Sequence, residues 1–309
     1  MPRPAEPAAC LLHFADEAES AGRLAAATGL RPLAIECHRF PDGEIKLRLP
    51  VDAAGRLPAR AVLLRSLHQP NEKLVELLLA TEAARTLGVQ SLALVAPYLA
   101  YMRQDIAFQP GEAVSQRIVG PFLGRMVNAV VTVDPHLHRI ARLDEAIPDR
   151  ACAVVSGAPL LADWIAEQRS APLLLGPDGE SAQWVAQAAA RHGFEHAVCS
   201  KTRQGDRQVI VTLPDVDFRG RSVVLLDDVA STGRTLIEAT RLLRAAGAAS
   251  VDVAVTHALL ADADLAALHA GGVGAFWSTD CVAHPSNCVY MAQALGRARG
   301  ELSWWSRQG

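Results

Sequence analysis

The stretch Ser222-Val223-Val224-Leu225-Leu226-Asp227-Asp228-Val229-Ala230-Ser231-Thr232-Gly233-Arg234-Thr235-Leu236 decides how this chain folds. Val223 to Leu226 is an unbroken apolar run, the pattern of a strand covered on both faces, as in a parallel sheet. Gly233 opens a helix in which Leu236, Ile237, Ala239, Leu242 and Leu243 recur at helical spacing. Two carboxylates and a short loop, Val229 to Thr232, stand between them. Ser231 and Thr232 offer hydroxyls, and Gly233 lets backbone approach a ligand closely. Free N–H groups at a helix N-terminus suit a phosphate. Asp227 and Asp228 only accept hydrogen bonds, which suits sugar hydroxyls or a magnesium shell. Phosphate donors and diol acceptors this close together describe a seat for a phosphorylated sugar.

Working outward, apolar strand runs alternate with helical patterns on both sides of this stretch. Upstream, strands are expected at Cys10–Ala15, Ala61–Arg65, Ser91–Ala96 and Ala129–Val133, with helices at Glu17–Thr28, Leu74–Leu87 and Val114–Met126. Ile45, Leu47 and Leu49 alternate with Lys46 and Arg48, the pattern of a half-exposed strand. The alternation restarts after Pro148, with a polar loop, Thr202–Gln208, ahead of the opening stretch. The expected class is α/β, with two similar domains, 1–148 and 149–309, each a mainly parallel sheet flanked by helices. Ligands in such sheets sit beyond the carboxyl ends of strands. Arg103, His136, Asp178 and Asp227 all fall at such ends.

The 309 residues are half hydrophobic and one-fifth charged, with a net charge of -3. That balance gives no general attraction for nucleic acid or anionic lipid, so neither is an expected partner. No run reaches the ~20 apolar residues of a membrane span. Six cysteines without a C-x-x-C pair, and no secretory pattern, read as reduced thiols of a cytoplasmic protein. Met1 to Ala9 reads as a loose tail.

The opening stretch resembles the ribose 5-phosphate motif of the phosphoribosyltransferase superfamily, with Arg234 where a second glycine is common. The resemblance widens across Phe40 to Asn287. Phe40-Pro41-Asp42-Gly43-Glu44, Tyr98 with Tyr101-Met102-Arg103-Gln104-Asp105, Asp134-Pro135-His136, Gly176-Pro177-Asp178 and Lys201-Thr202-Arg203 stand in the order found in ribose-phosphate pyrophosphokinases. Phe108, Pro110, Gly111 and Glu112 make the chain more similar to archaeal-type members. The resemblance implies type I phosphoribosyltransferase-like domains, the first on the ATP side and the second on the ribose 5-phosphate side. It implies transfer of the pyrophosphoryl group of Mg-ATP to the 1-hydroxyl of ribose 5-phosphate, with AMP as the leaving group.

By the same resemblance, Asp227, Asp228, Ala230, Ser231, Thr232, Gly233 and Thr235 hold ribose 5-phosphate. Arg103, Gln104 and Asp105 bind ATP, together with Phe40, Asp42 and Glu44 from a neighbouring copy of the chain. That sharing implies at least a homodimer. His136 and Asp178 hold Mg²⁺, and Lys201 and Arg203 are catalytic, on a mobile loop. Taken by themselves, His136 could make a structural hydrogen bond and Asp178 could cap the following helix. Ile106, Ala107 and Glu180 depart from the family's pattern, the first two replacing a usual basic residue and the third a usual glycine. A phosphoribosyltransferase and a non-catalytic homologue stay open as alternatives.

Overall fold

The computed structural model of the chain describes residues 9–204 and 208–302. Met1 to Ala8 of the expected N-terminal tail, with Trp304 and Trp305, therefore lie outside the described residues, while Ala9 is buried. The chain forms two compact units, Met1–Val155 with Met291–Gly309, and Ser156–Tyr290.

In the first unit the strands are β1 (Cys10–His13), β2 (Arg31–Ala34), β3 (Glu36–Arg39), β4 (Ile45–Arg48), β5 (Arg60–Leu64), β6 (Ser91–Ala96), β7 (Ala129–Val133) and β8 (Ala151–Val155). Six of them form a parallel sheet in the order β2-β1-β5-β6-β7-β8. The helices are α1 (Ala18–Thr28), α2 (Pro70–Thr86), α3 (Ser115–Met126) and the short α4 (Leu143–Ala146). The central strands β5, β6 and β7 are buried almost throughout, which is why their sequences are continuous apolar runs. Pro32 sits on the edge strand β2, where its missing N–H breaks no ladder bond on the open side. The strands β3 and β4 pair with each other as an antiparallel hairpin, separate from the main sheet.

The second unit repeats this plan. Its helices are α5 (Ala158–Gln168), α6 (Ala182–His192), α7 (Arg234–Ala245) and α8 (Asp262–Ala270). Its strands are β9 (Leu173–Gly176), β10 (His196–Val198), β11 (Ser200–Gln204), β12 (Gln208–Thr212), β13 (Ser222–Ala230), β14 (Ser250–Ala258), β15 (Phe276–Thr279) and β16 (Asn287–Val289). The parallel sheet runs β10-β9-β13-β14-β15-β16. Counted within each unit, both sheets have the order second-first-third-fourth-fifth-sixth. Both carry an antiparallel hairpin between the second and third sheet strands, β3–β4 in one and β11–β12 in the other. The expected likeness of the two halves is therefore one of topology.

Two features differ from the expected layout. The expected boundary after residue 148 precedes β8, yet β8 pairs with β7 and completes the first sheet. A final helix, α9 (Ala292–Glu301), packs on α1, β7 and β8 of the first unit rather than on the second. Gly296 permits the close approach, since a Cβ there would lie 3.1 Å from the Thr28 methyl. All six cysteines are free, and among the described residues no helix is long and apolar enough to cross a membrane.

A buried charge cluster closes the carboxyl end of β5. Arg65 pairs with Asp16 at 2.7 Å, with Glu17 at 3.3 Å and with Glu76, and lies 4.5 Å from the centre of the Phe14 ring. Burial pushes the Glu17 carboxyl up to about 7, although Arg65 and the Ser66 N–H pull the other way. A carboxyl whose folded value is raised stabilises the fold below its unfolded value, and that contribution is lost as pH rises through about 7. Urea denaturation should show the wild type losing about 2 kcal/mol more stability between pH 5 and pH 8 than Glu17→Gln. Equal losses would contradict this reading of the cluster.

Candidate active site

The apolar run of β13 continues past the acids. Asp227 pairs with Val255, Val229 with His257 and Ala230 with Ala258 of β14, so both carboxylates lie within the strand. The connection to α7 is correspondingly short, Ser231 to Gly233. Ser231 and Thr232 are exposed, Ala230 is buried and Thr235 half-buried. Gly233 occupies the left-handed region, φ 67°, and a Cβ there would meet the buried Leu268 side chain at 3.0–3.2 Å. Only glycine satisfies both conditions without displacing something. Gly233 at the N-cap has no side chain with which to cap α7, and among the described residues no cap hydrogen bond is made there, which leaves the first N–H groups to a ligand or water.

Asp178 follows β9 on the neighbouring strand of the same sheet. Gly176 lets the turn close, because a Cβ there would lie 2.3 Å from Ser181 Oγ, which itself donates to the Asp178 carbonyl at 2.6 Å. The Asp178 carboxylate accepts the Glu180 N–H at 3.1 Å and takes Lys201 Nζ at 3.1 Å. The helix-capping reading of Asp178 and a polar-site reading thus both have structural expression. Lys201 belongs to β11, opposite Val211, and the Arg203 backbone pairs with Val209. The expected loop therefore begins later than Thr202, since ladder bonds hold the backbone as far as Gln204. The side chain of Arg203 lies outside the described residues.

Electrostatics mark this cluster as short of positive charge. Burial, with the carboxylates of Asp228 and Asp178 nearby, holds the Asp227 carboxyl well above the usual carboxylate range. The Asp228 N–H gives Asp227 Oδ1 a hydrogen bond at 3.0 Å, which offsets only part of that repulsion. Asp228 and Asp178 lie near enough for their charges to act on Asp227, and carboxylate oxygens are the ligand type that a divalent cation such as Mg²⁺ takes.

In the first unit, the segment after β6 carries Arg103, Gln104 and Asp105. Arg103 is exposed. Gln104 Oε1 accepts the Ser115 hydroxyl at 2.9 Å, and its carbonyl accepts the Gln116 N–H at 3.1 Å. Asp105 points inward, where Arg139 binds it at 2.6 Å. The loop beyond is closed by the Glu112 carboxylate on the Phe108 N–H, and Phe108 stands 71% exposed.

His136 follows β7 and hydrogen-bonds His138 through their Nε2 atoms, the rings edge to face at 4.2 Å. That is the structural hydrogen bond its loop position allowed. His136 and Asp178, the two expected magnesium ligands, belong to different units.

The hairpin β3–β4 turns through Phe40 to Glu44. The Phe40 N–H bonds the Glu44 carbonyl at 2.8 Å, and the Glu44 N–H bonds Asp42 Oδ1 at 3.1 Å, so Asp42 closes the turn. Phe40 and Glu44 are exposed. Beside this hairpin is a cavity of about 650 Å³ lined by Phe14, Asp16, Arg39, Arg65, Lys73 and Glu76, among others. Its cations are engaged by the protein's own groups, Arg39 by Glu72, Arg65 by the acids above, and Lys73 by the Ser66 carbonyl. It is a poor place for a triphosphate.

Residues that steady the site were not visible in the sequence. Ser115, Gln116 and Arg139 fix the Arg103 segment, and Leu268 dictates the glycine from another helix. Ser115 and Gln116 open a helix just past the Gly111-Glu112 turn, the one local cue available.

Comparison with known proteins converges on one family. A family model for the N-terminal domain of ribose phosphate pyrophosphokinase matches residues 9–126, and one for the phosphoribosyl transferase domain matches residues 153–266. A ribose-phosphate pyrophosphokinase of Methanopyrus kandleri is 34% identical, over 87% of this chain and 91% of that relative. The chain belongs to the ribose-phosphate pyrophosphokinase family. A second member, from Methanosarcina acetivorans, is 32% identical over 91% of this chain and 96% of its own length. The crystal structure of phosphoribosylpyrophosphate synthetase from Mycobacterium smegmatis shares the fold, with a TM-score of 0.80 at 24% identity, over 94% of this chain and 96% of that one.

The departures from the family's pattern can now be placed. Ile106 is half-buried next to the inward Asp105, and Ala107 is exposed. Glu180 is exposed, and its backbone N–H serves Asp178.

Proposed function

We propose that the chain transfers the β,γ-pyrophosphoryl group of Mg-ATP to ribose 5-phosphate. The observation that carries this is the pairing, in one sheet edge, of an uncapped glycine loop with a three-carboxylate, one-lysine cluster. The ribose 1-hydroxyl oxygen bonds to the β-phosphorus, the bridge to the α-phosphorus breaks, AMP departs and the hydroxyl proton is released. Such transfers ask a protein for positioning and charge neutralisation above all.

The residues divide the work. N–H groups of Ser231 to Gly233, with the Ser231, Thr232 and Thr235 hydroxyls, seat the 5-phosphate, and buried Ala230 anchors the loop. Asp227 and Asp228 accept the 2- and 3-hydroxyls. Arg103 and Gln104 hold the nucleotide, and Asp105 supports them by fixing the segment through Arg139. Lys201 and Arg203 neutralise charge on the migrating group. His136 in the first unit and Asp178 in the second are the residues that would hold Mg²⁺, which would neutralise the polyphosphate. The hairpin supports sharing between copies: it pairs with no other strand among the described residues, and Phe40 is 39% exposed at its turn. On this reading Phe40, Asp42 and Glu44 serve the adenine of a second copy in at least a homodimer.

Chromatography of nucleotides after incubation with ATP, ribose 5-phosphate and Mg²⁺ tests the proposal. AMP should accumulate only when all three are present. ADP in place of AMP, or no AMP at saturating substrates, would overturn it.

A further inference from the structure

Lys201 is already occupied. Its ammonium lies 3.1 Å from Asp178 Oδ2, in a part-buried pair within the second unit. The partner is no ordinary surface acid. Asp178 is buried, its other oxygen is fixed by the Glu180 N–H, and its charge is felt by Asp227 across the sheet edge. Lys201 is held for this contact by strand pairing, opposite Val211, whose side chain is buried in the core of the unit. In this arrangement a lysine stands where the acids call for a cation.

We infer that Lys201 is the resident counter-ion of Asp178 and that a divalent cation must displace it. The inference rests on the proposed function only in taking Asp178 as a metal ligand. Both cations want the same carboxylate, and like charges within a few ångströms repel. Binding of the divalent ion therefore frees the ammonium. Lys201 is then released from the sugar side at the moment a polyphosphate with its metal arrives, so the lysine becomes available for charge neutralisation only on the loaded protein.

Titration of the full chain with Mn²⁺, read by electron paramagnetic resonance without any nucleotide, tests this directly. Lys201→Met should bind Mn²⁺ about three- to tenfold more tightly than the wild type, because the competing charge is gone. Lys201→Arg should stay within about twofold of the wild type, and Asp178→Asn should bind more weakly than either. Unchanged or weaker binding by Lys201→Met would overturn the inference, and so would absence of Mn²⁺ binding to every form. A second readout needs no variant. Acylation of Lys201 by an amine-reactive ester, followed by mass spectrometry, should speed up when Mg²⁺ is added to the wild type. A rate that is unchanged or falls would contradict displacement. Neither readout involves turnover, so a chain that released no AMP would fail the functional proposal and still give a clear answer here.

Discussion

Lys201→Ala should lower turnover by about 10²–10³-fold while leaving the affinity for ribose 5-phosphate within about threefold of the wild type. The size follows from what a preorganised charge contributes in a pyrophosphoryl transfer. Negative charge spreads over the migrating group, and a cation brought beside it in the loaded protein stabilises that state more than the ground state. The proposed sugar site, by contrast, uses Ser231 to Gly233 and the β13 acids, none of which the substitution removes. Steady-state kinetics combined with calorimetry on ribose 5-phosphate separates the two effects. Unchanged turnover would remove Lys201 from the chemistry.

Gly233→Ala should weaken ribose 5-phosphate binding by about ten- to a hundredfold. Two independent constraints meet at this residue. Its φ of 67° costs an L-residue roughly 1–2 kcal/mol. Its Cβ would press on Leu268 at 3.0–3.2 Å, and Leu268 is fully buried and cannot swing away. The loop must move, and the N–H groups proposed to seat the phosphate move with it. Calorimetry would report the loss. Adding Leu268→Ala should restore part of it, since that relieves the contact but not the dihedral strain. Wild-type affinity in Gly233→Ala would mean that the loop is not the phosphate seat.

What the sequence made legible was local. Val223 to Leu226 declared a buried parallel strand because both its faces are covered, and Gly233 declared a special backbone because the turn needs a positive φ. The acid pair and the hydroxyl pair are neighbours in the chain, so their chemistry could be read together. Long-range partners were not legible. Arg139 lies 34 residues from Asp105, and nothing near either residue signals the pair. The β11–β12 ladder was partly hidden because Thr202, Arg203 and Gln204 read as a polar loop, and only the partner strand makes them a strand. The final helix joins the first unit by docking on α1, β7 and β8, a choice set by packing rather than by chain order. The hydrogen bond between His136 and His138 is a further contact that the motif at Asp134-Pro135-His136 did not announce.

Whether the two terminal phosphates travel together is the most direct test of the account. ATP labelled at the γ-phosphate, incubated with the protein, Mg²⁺ and ribose 5-phosphate, should place its label on a phosphoribosyl pyrophosphate, with one AMP formed per label transferred. Label recovered as inorganic phosphate or as a ribose monophosphate ester, with ADP formed, would contradict it.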